Sequence, residues 1–252
     1  MQYLSHIGFF KASASSPSSF SFGNALLFDG TNDKVTTGNV NIGGSSTTAF
    51  TLSWWMKTVS VSAGVIGYPI ASGNSSTKRF IVQDRQTQEL RINFNADSII
   101  FNNATPDTNW HHYFLVYNGT EVNYNDRAKL WRDGVSIGGY SSTSSVPTSL
   151  DTNTLSDFLL GVIPSAAATV LRYFNGQLDE VALWVNHAGT ATDAVNLYNS
   201  GNGALATDVI ASPERYYRLD ESGTATTTVD ASGNGNTGTL TGFTVPGYWV
   251  TH

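Results

Sequence analysis

Apolar and polar residues alternate along many short segments of the chain, a pattern typical of β-strands. The clearest segment is residues 173–184, YFNGQLDEVALW, where the turn pair Asn175 and Gly176 precedes an alternating run. The alternation predicts one face with Leu178, Glu180, Ala182 and Trp184 and an opposite face with Asp179, Val181 and Leu183. We therefore predict a central strand that becomes buried on both faces towards Trp184.

A short helix is predicted directly after this strand. Thr192 is suited to cap it, Asp193 lies in its first turn, and Gly201 ends the apolar spacing. We place the helix over residues 192–199.

Other strand-like segments recur about every 8–12 residues, separated by Gly, Asn, Asp and Ser clusters. This spacing, without a long helical pattern, indicates an all-β fold, an antiparallel β-sandwich with one short helix. The predicted strands cover residues 24–35 (two strands joined by a turn), 50–57, 65–71, 79–84, 89–95, 98–102, 110–117, 128–133, 158–161, 215–219 and 230–240.

Several of these segments resemble the laminin-G-like and pentraxin-like branch of the concanavalin A-like lectin and glucanase superfamily. The strand and helix at 176–201 are similar to its "G-x-[IL]-D-E-V-x-[IL]-[WY]" strand followed by "LY-x-x-G". NALLFDGTNDKV, FTLSWWMK, WHHYFLVY and the AKLWRD hairpin resemble further family strands in the expected order. The resemblance implies a concanavalin A-like jelly roll, and its C-terminal arrangement is similar to that of proteins encoded by tailed phages, especially marine ones.

The domain organisation follows from these segments. We expect an N-terminal arm at 1–22, a laminin-G-like sandwich at 23–202 and C-terminal strands at 203–252. DASGNGNTGTL, at 230–240, resembles a motif usually found near the start of such domains. Because about 45 residues form little core of their own, we favour completion of the same sandwich over a satellite lobe.

The N-terminal arm carries large apolar side chains, Tyr3, Leu4, Ile7, Phe9 and Phe10, ahead of a Ser-rich stretch. Such side chains are unusual in a free tail, so two interpretations stand side by side. The arm is a mobile tail, or it docks on a neighbouring subunit in a homo-oligomer or on another virion protein. The stretch from Ser13 to Ser21 would give it a reach of up to ~30 Å.

Charge and composition exclude some classes of partner. Charged residues make up 13% of the chain, the net charge is -6 and cysteine is absent. A surface rich in Ser, Thr, Asn and Gly is typical of extracellular or virion proteins, and without a basic cluster we expect no nucleic acid partner. The first residues lack signal-peptide features and no apolar run approaches ~20 residues, so we expect neither the usual export route nor membrane insertion.

Catalytic spacings are missing from the sequence. Glucanases of this fold place paired carboxylates on one strand face at E-x-D-x-x-E spacing, which does not occur here. Asp179 and Glu180 should lie on opposite faces, Asp179 as a rim residue bonding turn amides and Glu180 bonding backbone or an arginine. His111 and His112 should also alternate, one half-buried and one solvated. We therefore expect no enzyme activity and no catalytic residue.

Metal binding is a minor alternative. The resemblance implies a pentraxin-type calcium site after an "LG" strand, but here that place holds Val162, Ile163, Pro164, Ser165 and Ala166, which supply no carboxylate. We therefore expect no cofactor. The candidates for a different calcium site are Asp29, Asp33, Asp179, Asp230 and Asn234, and turn formation explains the same residues without a metal.

Six tryptophans complete the candidates. Alternation predicts Trp54, Trp110 and Trp184 in the core, whereas Trp55, opposite Trp54, should face solvent or an interface. Trp55 and the apolar arm are thus the candidate ligand or interface residues.

Together, the composition and the resemblance favour a non-enzymatic structural or adhesive virion protein of a tailed phage, a head decoration protein or a fibre module. Such a protein would be assembled in the host cytoplasm and displayed on the virion surface, with capsid or tail proteins as partners and host glycans as further ligands. The alternative is a carbohydrate-binding lectin module that acts outside a virion.

Overall fold

Two antiparallel sheets pack face to face as a β-sandwich, as the sequence pattern predicts. The computed structural model describes residues 20–42, 48–62, 64, 66–141, 146–150, 156–164, 172–244 and 247–252. In chain order the strands are β1 (Asn24–Asp29), β2 (Lys34–Asn39), β3 (Ala49–Thr58), β4 (Gly67–Ser75), β5 (Lys78–Asp84), β6 (Glu89–Phe94), β7 (Asp97–Asn102), β8 (His111–Asn118), β9 (Ala128–Arg132), β10 (Val135–Ile137), β11 (Gly139–Ser141), β12 (Asp157–Leu160), β13 (Asn175–Val185), β14 (Arg215–Tyr217), β15 (Thr227–Thr228), β16 (Gly238–Thr241) and β17 (Trp249–Thr251).

The first sheet has the order β10-β9-β8-β3-β13-β1-β17, with β14 paired to β13 beside β1. The second sheet has the order β11-β7-β6-β5-β4-β12-β2-β16-β15. Strands from the last fifty residues therefore join both sheets. The separate arm at 1–22 stays a prediction, because residues 1–19 lie outside the described part of the chain.

The main core lies between the sheets and contains large side chains such as Phe50, Trp54, Phe94 and Tyr113, all buried. A second apolar cluster covers the outer face of the first sheet, the face turned away from the second sheet. There Trp184, Phe114 and Trp131 pack under Leu197 of helix α1 (Ala191–Tyr198) and Ala206 of helix α2 (Ala206–Val209). Burial of Trp54 and Trp184 was predicted correctly.

Helix α1 begins at Ala191, one residue earlier than predicted, and its N-cap lies two residues earlier. Thr190, not Thr192, is its N-cap, because Asp193 closes a capping box with Thr190: each side chain bonds the other residue's backbone N–H. Asn199 ends the helix in the left-handed conformation, and a single 3-10 turn, Asn199–Gly201, follows. The one-turn helix α2 was not predicted.

Strand β13 departs from simple alternation at Glu180. Asp179 pairs with Trp55 and Ala182 with Ser53, so two residues of β13 oppose Trp54 alone. Glu180 has a φ of 49°, and this β-bulge shifts the face of every residue beyond it. The prediction that Asp179 and Glu180 point to opposite faces is therefore wrong, and Val181 and Leu183 share the inner face with Leu178.

Candidate functional site

An aromatic cleft of about 360 Å³ opens on the outer face of the first sheet, beside the last turn of α1. Its lining combines ring side chains with one carboxylate. The lining residues are Phe22, Trp55, Trp110, His111, Asp133, Tyr198, Gly201 and His252.

Distant parts of the chain meet here. Trp55 points outward from β3, Trp110 directly precedes β8, Tyr198 ends α1, and His252 follows β17. Gly203 has a φ of 69°, and a Cβ atom at this position would clash with the Phe20 ring. Glycine therefore lets the chain pass close to Phe20 and Phe22.

The His252 ring lies between two aromatic rings. Its centroid is 3.7 Å from that of Phe22 and 4.0 Å from that of Trp110, with interplanar angles of 14° and 7°. Its Nδ1 lies 2.6 Å from Oδ2 of Asp179. Burial, and then the charge of Lys57, lower the pKa of His252 to about 4.

Trp55 forms the floor of the cleft rather than an exposed face. It is only 5% exposed, because Phe22, His252 and Tyr198 pack against it at centroid distances of 4.8, 5.5 and 5.9 Å. It does lie opposite Trp54, as predicted, but solvent hardly reaches it. Its role as a ligand or interface residue stays a prediction.

Trp110, in contrast, is only partly buried, so its placement in the core was wrong. It precedes β8 and lies at the rim of the sheet, where alternation no longer determines the side of the sheet. Trp110 and Tyr198 are the partly exposed large aromatic residues that the cleft offers to a ligand, together with Phe22.

The polar side of the cleft is a chain of three groups. Nδ1 of His111 lies 2.6 Å from Oδ2 of Asp133, and its Nε2 lies 3.1 Å from Oδ1 of Asp107. Burial alone would lower the pKa of His111, but the hydrogen bonds and charges of Asp133 and Asp107 outweigh it and raise the pKa. Oδ1 of Asp133 also accepts the backbone N–H of His112 at 2.9 Å.

His112 is fully buried on the outer face, not solvated as predicted. Its Nε2 is 2.9 Å from Oγ of Ser53, and rings of Trp55 and Tyr198 lie nearby. Burial lowers its pKa to about 3, so the ring is neutral at pH 7. His111 is half-buried, which matches the other half of that prediction.

Asp179 and Glu180 lie buried next to the cleft but do not line it. Oδ1 of Asp179 accepts the N–H of Glu180 at 2.8 Å, whereas Glu180 bonds the Tyr216 hydroxyl and Nε of Arg218, the latter at 3.2 Å. Arg218 also pairs with Asp220 at 2.6 Å. Glu180 thus bonds an arginine as predicted, but Asp179 is not a rim residue.

Burial raises the pKa of both carboxyl groups. That of Asp179 rises well above its usual range, with the charges of Glu180 and Asp220 adding to the effect of burial. That of Glu180 rises to about 7, although Tyr216 and Arg218 stabilise the charged form. Both carboxyl groups therefore keep a proton at pH values at which exposed carboxyl groups have already lost theirs.

The remaining metal candidates form hydrogen-bonded turns. Asp33 accepts the N–H of Asp29 at 2.9 Å, and Asp29 accepts that of Thr31 at 2.7 Å. Asp230 accepts the backbone N–H groups of Tyr216, Ser232 and Asn236. Asn234 donates to the carbonyls of Pro213 and Glu214 at 3.1 Å.

Within the residues the structure describes, no group of three or more His, Asp or Glu could hold a metal ion. Ser165 and Ala166 of the loop discussed above lie outside those residues, as do Tyr3, Leu4, Ile7, Phe9 and Phe10. The docking of the arm stays a prediction.

Sequence reasoning missed most of the cleft. Phe22, Tyr198 and His252 were not singled out as site residues, and Asp133 was seen only as the start of a hairpin turn. The left-handed φ values of Asp133 and Gly134 confirm that turn. No local signal connects His252 with Trp110, because the contact depends on how β17 and β8 lie in the same sheet.

The chain belongs to the concanavalin A-like lectin/glucanases superfamily. The Laminin_G_3 family model matches residues 29–194, about two thirds of the chain. No curated protein matches this chain in sequence.

Two solved structures share the fold. A candidate carbohydrate-binding protein from Bacteroides ovatus is 16% identical with a TM-score of 0.60; the match covers 89% of this chain and 60% of that protein. The native heptameric SAP-like pentraxin from Limulus polyphemus is 13% identical with a TM-score of 0.50, covering 70% and 82%. This chain thus spans 60% of the length of the Bacteroides protein. Among the described residues, no helix has the length and apolar character needed to cross a membrane.

Proposed function

We propose that this chain is a non-catalytic carbohydrate-binding module whose ligand occupies the aromatic cleft. The observation that carries the proposal is the pairing of partly exposed rings, Trp110 and Tyr198, with the hydrogen-bonded carboxylate of Asp133 in one depression.

Sugar chemistry fits this pairing. The C–H faces of a pyranose pack on aromatic rings, and its hydroxyl groups need acceptors and donors at the edges of the stacking surface. Trp110 and Tyr198 supply ring surface, and Asp133 supplies acceptor lone pairs beside it. The Bacteroides protein with the same fold supports the proposal because it is itself a candidate carbohydrate-binding protein.

The absence of catalysis rests on the carboxylates. A glycosidase needs two carboxyl groups on either side of the sugar bond, about 5 to 9.5 Å apart and open to substrate. Asp179 and Glu180 share a face but are 0% and 5% exposed, and both are bonded to protein partners. We therefore propose that they stabilise the fold next to the cleft and do not act on substrate.

A glycan array followed by calorimetry with the best ligand tests the proposal. Trp110→Ala and Tyr198→Ala should each weaken binding at least tenfold. Tyr124→Ala is the matched control, because Tyr124 is 41% exposed and does not line the cleft, so it should leave affinity within twofold. A ligand that binds both of these variants as tightly as it binds the native protein would show that the cleft is not the binding site.

A structural or adhesive role in a tailed-phage virion is the second candidate function. The low charge of the chain and its apolar N-terminal segment favour it. In this proposal capsid or tail proteins, or further copies of the chain, are the partners, and the cleft would bind host glycans from the virion surface. Mass spectrometry of purified virions, with copy number relative to the major capsid protein, tests it; absence of the protein from virions would eliminate it.

A further inference from the structure

We infer that the aromatic cleft selects an uncharged sugar and rejects the same sugar carrying a carboxylate, with Asp133 as the specificity-determining residue. This inference rests on the proposed function, since it names the class of sugar that the same cleft takes.

The charged and ionisable groups in the cleft carry the first step. Among the side chains of the described residues that line it, the one carboxylate is that of Asp133, the two imidazoles are those of His111 and His252, and there is no lysine or arginine. Carboxylate sugars are usually recognised through arginine or lysine, often in a bidentate pair. A carboxylate in this cleft would instead face the charge of Asp133.

His111 does not replace the missing cation. Its two ring nitrogens lie 2.6 Å from Asp133 and 3.1 Å from Asp107, so both N–H groups of a protonated ring are directed at protein carboxylates. The positive charge is held between two negative charges. The ring therefore has no N–H left for an anion in the cleft.

Asp133 retains acceptor capacity for hydroxyl groups. A carboxylate has about four lone-pair sites, and Asp133 uses one on Oδ2 for His111 and one on Oδ1 for the N–H of His112. The remaining sites can accept an O–H from a sugar. Hydroxyl donors are what an uncharged sugar supplies and what a carboxylate group lacks.

Arg132 and Lys57 lie near the cleft without lining it, so their charges need separate treatment. Arg132 donates to the carbonyl of Asn103, and its Nε lies 3.7 Å from Oδ2 of Asp133, so its charge is already paired with that carboxylate. Lys57 follows Trp55 by two residues on β3, on the same outer face, and its charge reaches His252. Lys57 is thus the residue through which an acidic sugar could bind in spite of Asp133.

The experiment uses matched sugars that differ in one group. Affinities are measured by calorimetry for methyl glucoside against methyl glucuronide and for methyl galactoside against methyl galacturonide. The uncharged member of each pair that binds should bind at least tenfold more tightly. An acidic member that binds equally or more tightly would overturn the inference, and loss of that binding in Lys57→Gln would show which cation was responsible.

Asp133→Asn tests the assigned residue. Asn tolerates the φ of 53° at this turn, and its side-chain oxygen can still accept the N–H of His112. The preference for the uncharged sugar should fall at least threefold. Asp208→Asn, an exposed carboxylate on α2 outside the cleft, is the control and should leave the preference unchanged.

The outcomes separate the two proposals. An acidic sugar that binds best through the cleft leaves carbohydrate binding intact and overturns only the selectivity. An unchanged preference in Asp133→Asn overturns the role of that residue. Absence of binding to every sugar on the array and in the panel overturns the proposed function and the selectivity with it.

Discussion

Glu180 determines which face of the sheet each later residue of β13 occupies. Its left-handed backbone conformation costs a residue with a side chain about 1–2 kcal/mol, which the surrounding contacts must offset. On the edge of β13 away from β3, the bulge separates two partners: β1 pairs with β13 before the bulge, and β14 pairs with β13 after the bulge. Arg218, which directly follows β14, pairs with Glu180 and also with Asp220.

Substituting Glu180 by Gln should flatten the pH dependence of stability. The pKa of Glu180 is raised from 4.5 to about 7 in the folded protein, so the folded state holds this proton more tightly than the unfolded state. The free energy of unfolding of the native protein should therefore fall as pH rises from about 4.5 through about 7. At about 1.36 kcal/mol per pKa unit, the shift corresponds to a pH-dependent contribution on the order of 3 kcal/mol, which Glu180→Gln should remove.

Urea unfolding at several pH values between 5 and 8 measures this difference. Asp179 changes stability in the same direction and remains in the variant, so some slope should persist. The exposed carboxylate substitution Asp208→Asn serves as the control and should follow the native curve. Parallel curves for Glu180→Gln and the native protein would refute the proposed proton on Glu180.

At the scale of elements, helix α1 supports one wall of the cleft. Leu197 anchors it in the outer apolar cluster, and Tyr198, its last residue, reaches Trp55. An eight-residue helix is marginal alone, so its caps and this packing must hold it. The position of Tyr198 therefore depends on how the helix begins as well as on where it ends.

Thr190→Ala should destabilise the protein by about 1 kcal/mol, the usual cost of losing an N-cap side chain. The Thr190 hydroxyl accepts the N–H of Asp193 at 3.3 Å and lies 2.8 Å from its Oδ2. Thr190→Ser keeps this hydroxyl and should lose little stability. Urea unfolding measures both variants, and an Ala variant as stable as the Ser variant would contradict the role of the cap.

Individual elements were predictable to the extent that their signals are local. Strands β3, β8 and β13 were found because alternation and aromatic residues act over a few neighbours. The bulge at Glu180 was not, because nothing in LDEV indicates a left-handed residue. The shift of the N-cap from Thr192 to Thr190 is similar: two threonines precede Asp193, and only the reciprocal bond to Asp193 distinguishes them.

At the scale of the whole molecule, the cleft forms where the first and last described segments of the chain meet. Strand β17 pairs with β1, which brings His252 next to Phe22, and β8 presents Trp110 on the other side of the ring. The sandwich was predictable from strand spacing and family resemblance. The cleft was not, because its residues are separated by up to 230 positions, from Phe22 to His252, and carry no shared motif.

Removing Met1–Pro17 should leave the contact between β17 and β1 intact while abolishing assembly into oligomers or virions. Phe20 and Phe22, which pack at Gly203 and in the cleft, remain in the truncated chain. The deleted part contains Tyr3, Leu4, Ile7, Phe9 and Phe10, whose burial on a partner would contribute on the order of 5–10 kcal/mol before ordering costs. We expect unchanged unfolding in urea and unchanged sugar binding, but loss of oligomers in analytical ultracentrifugation or of incorporation into virions.

A length-matched variant separates the apolar side chains from the arm itself. Replacing Tyr3, Leu4, Ile7, Phe9 and Phe10 with Ser keeps the chain length and should abolish assembly as the deletion does. Replacing residues 13–16, Ser-Ala-Ser-Ser, with Gly-Ser-Gly-Ser keeps both length and apolar residues and should assemble normally, because that stretch supplies only reach. Normal assembly of the Ser-substituted chain would contradict docking by the arm and move the attachment surface to the sandwich, where exposed Val135 and Val195 beside the cleft would be the next residues to substitute.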